Sequence, residues 1–394
     1  MIINVPRAQR VLSQKGLDGL LAATNIPNVF YLSGVWRQGD LAAAAPLKGL
    51  DRPWVVIPRS EVDYLEDSPV RPAGVATYGT FYRELDETAA LTDREERIKT
   101  LGIDLEPVGS FQEGVVSILA SAGLGKGTVG YDERGLDPAL VPKIERELPG
   151  LALRPATAVF REIRMIKTPL EIERLEKAVG ITEAAIGEAV SLAREGLGEG
   201  EMALAFEVGQ VKRGGRPNMA HVGFGRSGAL GMYNFPEDKL GKGDLIRFDV
   251  GCVYRGYLSD TARTFSFGKP ADKAAAYYDA LLAGQERALG MVKPGATGDG
   301  IFSATMEEVR RRGIPHYNRQ HVGHGMGLAL GGYDGPRLAP GDRTPLTPGM
   351  VLAVEAPYYE LGMGGLQVED TVLVTEDGCR RLTAMSRNLE ILGT

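Results

Sequence analysis

The sequence predicts an α+β protein, with a smaller α/β half followed by a larger half of mixed helices and strands. Three observations carry that expectation. Strand-like and helix-like segments alternate up to about residue 155, and beyond residue 198 they stop alternating. The later region also holds two pairs of apolar, strand-like segments, each pair flanking a tight turn. The expected organisation is an N-terminal α/β domain over 1–155, a linker and connecting helix over 156–197, and a second, α+β domain over 198–394. A chain of 394 residues has ample length for these parts and their cores.

In the first half, Pro6 to Lys15 reads as a helix and Asp18 to Ala23 (DGLLAA) as a buried strand. NIPNVFYLSG follows as a short helix or turn ending at Gly34. PWVVIP, around Val55, and Thr128 to Tyr131 read as further strands, and Pro138 to Leu148 as a helix. Pro69 to Thr100 breaks periodicity and is rich in charge, which assigns it to loops and a surface helix. This half contains no histidine, no cysteine and no phosphate-binding loop, so its expected role is structural. Thr168-Pro169 followed by Glu171 is a helix start, with Thr168 as N-cap, and the helix is expected to run towards Glu195. Further helices are expected at Glu201–Lys212, Lys273–Leu289 and Asp299–Arg311.

Composition excludes several classes. Hydrophobic content of 43% and charge of 24% are ordinary for a globular protein. A formal net charge of −6 argues against a nucleic-acid partner, which needs a basic surface. Cys252 and Cys379 are too few for a disulfide framework and fit a reducing cytoplasm. The stretch MIINVPRAQRVLSQ lacks an apolar signal core, and no run approaches the ~18 apolar residues of a membrane helix. The expectation is a cytoplasmic protein with no membrane partner.

The chemistry concentrates in the two hairpins. GDLIRFDVGCVYRGYLSDTART places Asp249 and Asp260 on two strands; with Tyr254 and Arg255 as loop residues they would stand directly opposite. VLAVEAPYYELGMGGLQVEDTVLV likewise sets Glu355 against Glu369 across a turn centred on Gly362. Like charges in directly opposed positions destabilise a sheet, so each pair calls for something positive between its members. HVGHGMG adds His324 between two glycines. A lone acid in a strand is most often a turn, cap or ion-pair residue. Four acids and one imidazole together form a set of hard ligands suited to manganese-like ions, with cobalt, iron or zinc also accommodated. Two divalent cations would balance the four carboxylates.

These motifs resemble the pita-bread metallopeptidases, specifically the Xaa-Pro dipeptidase (prolidase) and aminopeptidase P branch. The matching stretches are FDVG, SDTARTF, GHGMGL, PGMVLAVEAPYY and GGLQVEDTVLVTEDG. IKTPLEIERLEKAVGITEAAI resembles the family's inter-domain junction. The resemblance implies a pita-bread catalytic domain, two divalent metals (manganese first) held by Asp249, Asp260, His324, Glu355 and Glu369, and a homodimer. It implies cleavage of the Xaa-Pro bond of small peptides, with Glu355 as general base. Arg37 and His221 are the candidates for substrate contact.

The chain also departs from that pattern. The first of the family's two outer histidines falls on Met232 or Tyr233, depending on the alignment, and the second on Gly331, with Gly332 after it. Gln367 stands where the family usually has an arginine. Tyr233 and His321 are the expected substitutes, since a phenol donates a hydrogen bond and an imidazole carries a proton. Alternative readings are a family member that keeps the metals with weak or lost peptidase activity, and a hydrolase of a non-peptide small amide. GFGRSG at 223–228 matches a dinucleotide glycine pattern, but the residues after it cannot open the helix that pattern demands. Cys252 lies in an apolar strand, where a small buried thiol is the default.

Overall fold

The computed structural model describes residues 2–330 and 333–393. It divides into two compact units, Met1–Arg164 and Met165–Thr394. The helix of the junction therefore opens the second unit.

The first unit is built on a six-stranded mixed sheet. Its strands are β1 (Gly19–Ala23), β2 (Ala42–Pro46), β3 (Trp54–Pro58), β4 (Gly74–Tyr78), β5 (Lys126–Tyr131) and β6 (Gly150–Pro155), in the order β4-β3-β2-β1-β5-β6. The β1–β2 and β2–β3 pairs are antiparallel, and the others parallel. β2 is a run of alanines, poor strand formers, that becomes a strand because every alanine is buried between neighbours. Helices at Val5–Lys15, Ile26–Ser33 and Leu140–Glu147 match the expected segments, and Gly34 (φ 73°) closes the second in a left-handed cap. Within 69–100 the structure has the expected surface helix, Asp93–Lys99, started by a Thr92–Glu95 capping box, and adds the strand β4.

In the second unit a sheet runs through β7 (Arg216–Phe224), β8 (Leu245–Tyr254), β10 (Thr261–Phe267), β11 (Gly323–Gly325), β12 (Val351–Glu360) and β13 (Gly364–Val374), with β9 (Tyr257–Leu258) pairing β8. Its main order is β11-β12-β13-β10-β8-β7. One apolar core joins helices Asp272–Met291 and Gly298–Arg311 to β12 and β13; a second joins Pro169–Val190 and Glu199–Lys212 to β7, β8 and β10. Thr168 caps its helix with Glu171 in a capping box, and the helix ends at Val190, short of Glu195.

The first hairpin departs from its expected register. β8 pairs β9 with Tyr254 opposite Tyr257, so the loop residues are Arg255 and Gly256, both at positive φ (46° and 89°). That is the backbone of a tight two-residue hairpin turn, and glycine belongs in it. The one-residue shift moves the partner by two, so Asp249 stands opposite Ala262 and not opposite Asp260. The second hairpin has the expected register, with Glu355 opposite Glu369 and Gly362 (φ 93°) in the turn. The GFGRSG stretch forms the end of β7 and a short 3-10 turn, Ser227–Leu230, with no helix following. No described helix is long and apolar enough to cross a membrane.

Candidate metal centre

The ladder registers place His221, Asp249, Ala262, Glu369 and Glu355 in one row across β7, β8, β10, β13 and β12. Directly paired residues in antiparallel strands share a face, so the row presents its polar side chains together. His324 on β11 pairs with Ala353, two residues before Glu355, and shares that face by the strand period. Asp260, just before β10, completes the group from the same hairpin as Asp249.

Asp249, Asp260, His324, Glu355 and Glu369 are all buried. Asp260, His324 and Glu369 offer ligand atoms lying within 4.8 Å of one another. His324 Nε2 is 3.5 Å from Asp260 Oδ2, and His321 Nδ1 is 3.0 Å from Glu355 Oε1. Burial holds the Asp260 carboxyl well above the usual range, and the charges of Asp249 and Glu355 push the same way. Burial likewise raises Glu369, reinforced by Asp260, Glu355 and Asp249, with Arg263 acting weakly against them. Burial also lowers His324 to about 3, so this imidazole is neutral and ready to give a lone pair.

These residues fit a divalent cation. Among the described residues, Asp260 Oδ1 and His324 Nδ1 are buried polar atoms without a hydrogen-bond partner. Such orphans cost free energy unless something else satisfies them. No lysine or arginine of the described residues forms an ion pair with Asp260, Glu355 or Glu369; only Asp249 meets one, Arg247, at 3.1 Å. Among the described residues, only imidazoles approach Asp260 and Glu355, and no lysine or arginine side chain pairs with these three acids, so their charge is open to a cation.

The other expected site residues fall in different places. His221 faces Asp249 across the β7–β8 ladder, half-buried, with an unpartnered Nδ1 and a pKa lowered chiefly by burial. His321 is at the cluster, its ring 6.0 Å from that of His324. Tyr233 is 67% exposed and stacks edge-on with Phe235 at 5.2 Å, without a contact to the cluster among the described residues. Met232 is as exposed, at 69%. Arg37 belongs to the first unit, where Glu61 pairs with it at 2.5 Å and it donates to the Asp40 carbonyl. Gly331 and Gly332, the second outer-histidine position, lie outside the described residues.

Two residues at the site, Arg247 and Tyr333, escaped the sequence reading, and Gln367 entered it only as a departure from the family pattern. Arg247 and Gln367 each sit two positions before a ligand acid, so the strand period puts them on the ligand face. That signal was available. Tyr333 stacks on the His324 ring, with centroids 3.6 Å apart and planes at 20°, and nothing in a Gly-rich loop announces it. Burial first, then Asp260, Glu355 and Glu369, push its phenol up to about 12.

Buried acids and an imidazole gathered on one face of a largely antiparallel sheet define a metallohydrolase centre. Residues 173–376 match the model of metallopeptidase family M24, and residues 5–166 match the creatinase/prolidase N-terminal domain. The chain belongs to metallopeptidase family M24. It is 28% identical over 382 residues to the Xaa-Pro dipeptidase of Pyrococcus horikoshii, spanning 96% of both chains. To that of Pyrococcus furiosus it is 36% identical over 234 residues, which span 59% of this chain and 66% of that enzyme. The structure of prolidase from Pyrococcus furiosus superposes with a TM-score of 0.75 at 27% identity, covering 96% of this chain and 100% of the other.

Proposed function

We propose that this enzyme cleaves the Xaa-Pro bond of dipeptides and short peptides, with two divalent cations, manganese first, held by Asp249, Asp260, His324, Glu355 and Glu369. The observation that carries the reading is the buried Asp260–His324–Glu369 group, whose ligand atoms lie within 4.8 Å. Cations held there would polarise the scissile carbonyl and make water acidic enough to react at neutral pH. Glu355 Oε1 acts as general base, and His321 Nδ1, 3.0 Å away, takes up the proton that Glu355 collects. His221, on the same face beside Asp249, orients the substrate. Tyr233 takes part, in this reading, as a catalytic hydrogen-bond donor to the reacting peptide. The relatives named Xaa-Pro dipeptidase support the substrate class.

We further propose a cytoplasmic homodimer, in keeping with two free cysteines and the family resemblance. The decisive experiment assays Xaa-Pro hydrolysis with added manganese in Asp260→Ala and Glu369→Ala. Both are expected to lose turnover by at least a hundredfold, and unchanged turnover in both rejects the reading. A wild type that binds manganese yet releases proline from no dipeptide would instead establish a metal protein without this peptidase activity.

A further inference from the structure

We infer that Arg247 and Gln367 form one positioning unit that aims two of the ligand carboxylates, Asp249 and Glu355, at the metal centre. The inference rests on the metal-centre reading above. Arg247 is 2% exposed, near the start of β8. A guanidinium so buried is tolerated only when its donors are satisfied. Its Nε donates to the Gly228 carbonyl at 3.1 Å, and its Nη2 to the Gly231 carbonyl. Its Nη1 donates to Asp249 Oδ2 at 3.1 Å and to Gln367 Oε1 at 3.0 Å. The Tyr359 ring covers the guanidinium at 5.3 Å.

Gln367 passes the constraint onward. Its Oε1 also accepts from the Tyr359 hydroxyl at 3.2 Å, which fixes the amide with the carbonyl towards Arg247. Its Nε2 is thereby left to donate to Glu355 Oε2 at 3.3 Å. One guanidinium on β8 thus holds Asp249 directly and Glu355 through an amide on β13. It is also the single arginine or lysine ion-paired with a ligand acid among the described residues. Both residues act through the ligands, so they are positioning residues.

Partners that hold metal ligands in place are typically worth ~10–100-fold in metal affinity. The test titrates Mn²⁺ into full-length protein calorimetrically, with melting curves in chelator to verify folding. Arg247→Leu is expected to weaken binding by ~10–100-fold. Gln367→Arg alone, which crowds two guanidiniums together, is expected to weaken it as well. The double variant Arg247→Leu/Gln367→Arg returns one guanidinium to the site and is expected to bind more tightly than either single variant. A merely structural role would lower the melting temperature without producing that reciprocal rescue. Should Arg247→Leu not fold, Gln367→Leu keeps the Arg247–Asp249 bond, cuts the relay from Arg247 to Glu355, and is expected to cost about tenfold. A double variant no tighter than Arg247→Leu, or affinity within twofold of wild type in Gln367→Leu, overturns the inference. A wild type that binds no Mn²⁺ overturns the metal-centre reading beneath it.

Discussion

Glu355 and Glu369 stand directly opposite each other across the β12–β13 ladder, and both are buried. Opposed like charges in a sheet are destabilising, and burial raises the cost of each charge. Divalent cations bound between them are therefore expected to stabilise this fold, by ~2.7 kcal/mol per site at a hundredfold excess over Kd. Melting curves with chelator and with Mn²⁺ check this. Glu369→Gln should melt higher than wild type in chelator, since it removes one buried charge, and should lose most of the Mn²⁺ response.

Tyr333 packs flat on His324, with ring centroids 3.6 Å apart. That stacking restricts the imidazole to one orientation, so Tyr333→Ala should weaken Mn²⁺ binding by roughly tenfold, as loss of other partners that orient a ligand does. Tyr333→Phe keeps the ring and should bind Mn²⁺ within twofold of wild type. Calorimetric titration of the two variants separates ring packing from the hydroxyl.

Much of the site was legible because strand residues alternate faces and ligand acids recur at matching positions. Glu355 and Glu369 could be paired from the turn at Gly362 alone. Asp249 could not be paired correctly, because choosing Tyr254–Arg255 over Arg255–Gly256 as the loop shifts the partner by two residues. The glycine and its requirement for positive φ were the better guide. Helices with capping signals, such as the one begun by Thr168 and Glu171, were legible at their starts. The alanine strand β2 was not, since burial and not propensity decides it. The strand period puts Arg247 on the same face as Asp249, but its bonds to Gly228 and Gln367 join two other segments, and no local pattern encodes that meeting.

Glu199 is a fully buried carboxylate that organises the segment leading to Tyr233. It accepts from Phe224 N at 2.9 Å, from Ser227 Oγ at 2.5 Å and from Phe235 N. In Glu199→Ala the Ser227 hydroxyl still bonds Phe224 N, but Phe235 N loses its acceptor. The expected loss is about 2–4 kcal/mol, from stranded buried donors and a small cavity. Urea unfolding reads it as a lower midpoint at unchanged slope.

Glu171 gives the clearest pH signature. Burial lifts its carboxyl from 4.5 to about 7; Lys167 and the Thr168 N–H oppose that rise, and Asp334 adds to it. Lys167 and Asp334 themselves form a buried pair at 3.2 Å beside it. The unfolded chain releases this proton near pH 4.5, while the folded chain keeps it to about pH 7. Between those values the folded state binds more protons, so stability falls as pH rises. The loss is about 3 kcal/mol by pH 8, taking ~1.4 kcal/mol for each unit of displacement. Glu171→Gln cannot ionise, retains an acceptor for the Thr168 N–H, and escapes this loss. Urea unfolding of both proteins should therefore show wild type falling behind Glu171→Gln by about 2.5 kcal/mol between pH 5 and pH 8, the remainder of the loss lying below pH 5. Comparing the pair cancels the raised Asp260 and Glu369, which act alike in both. A stability difference that stays constant across the interval would mean that Glu171 is already ionised in the folded protein at pH 5.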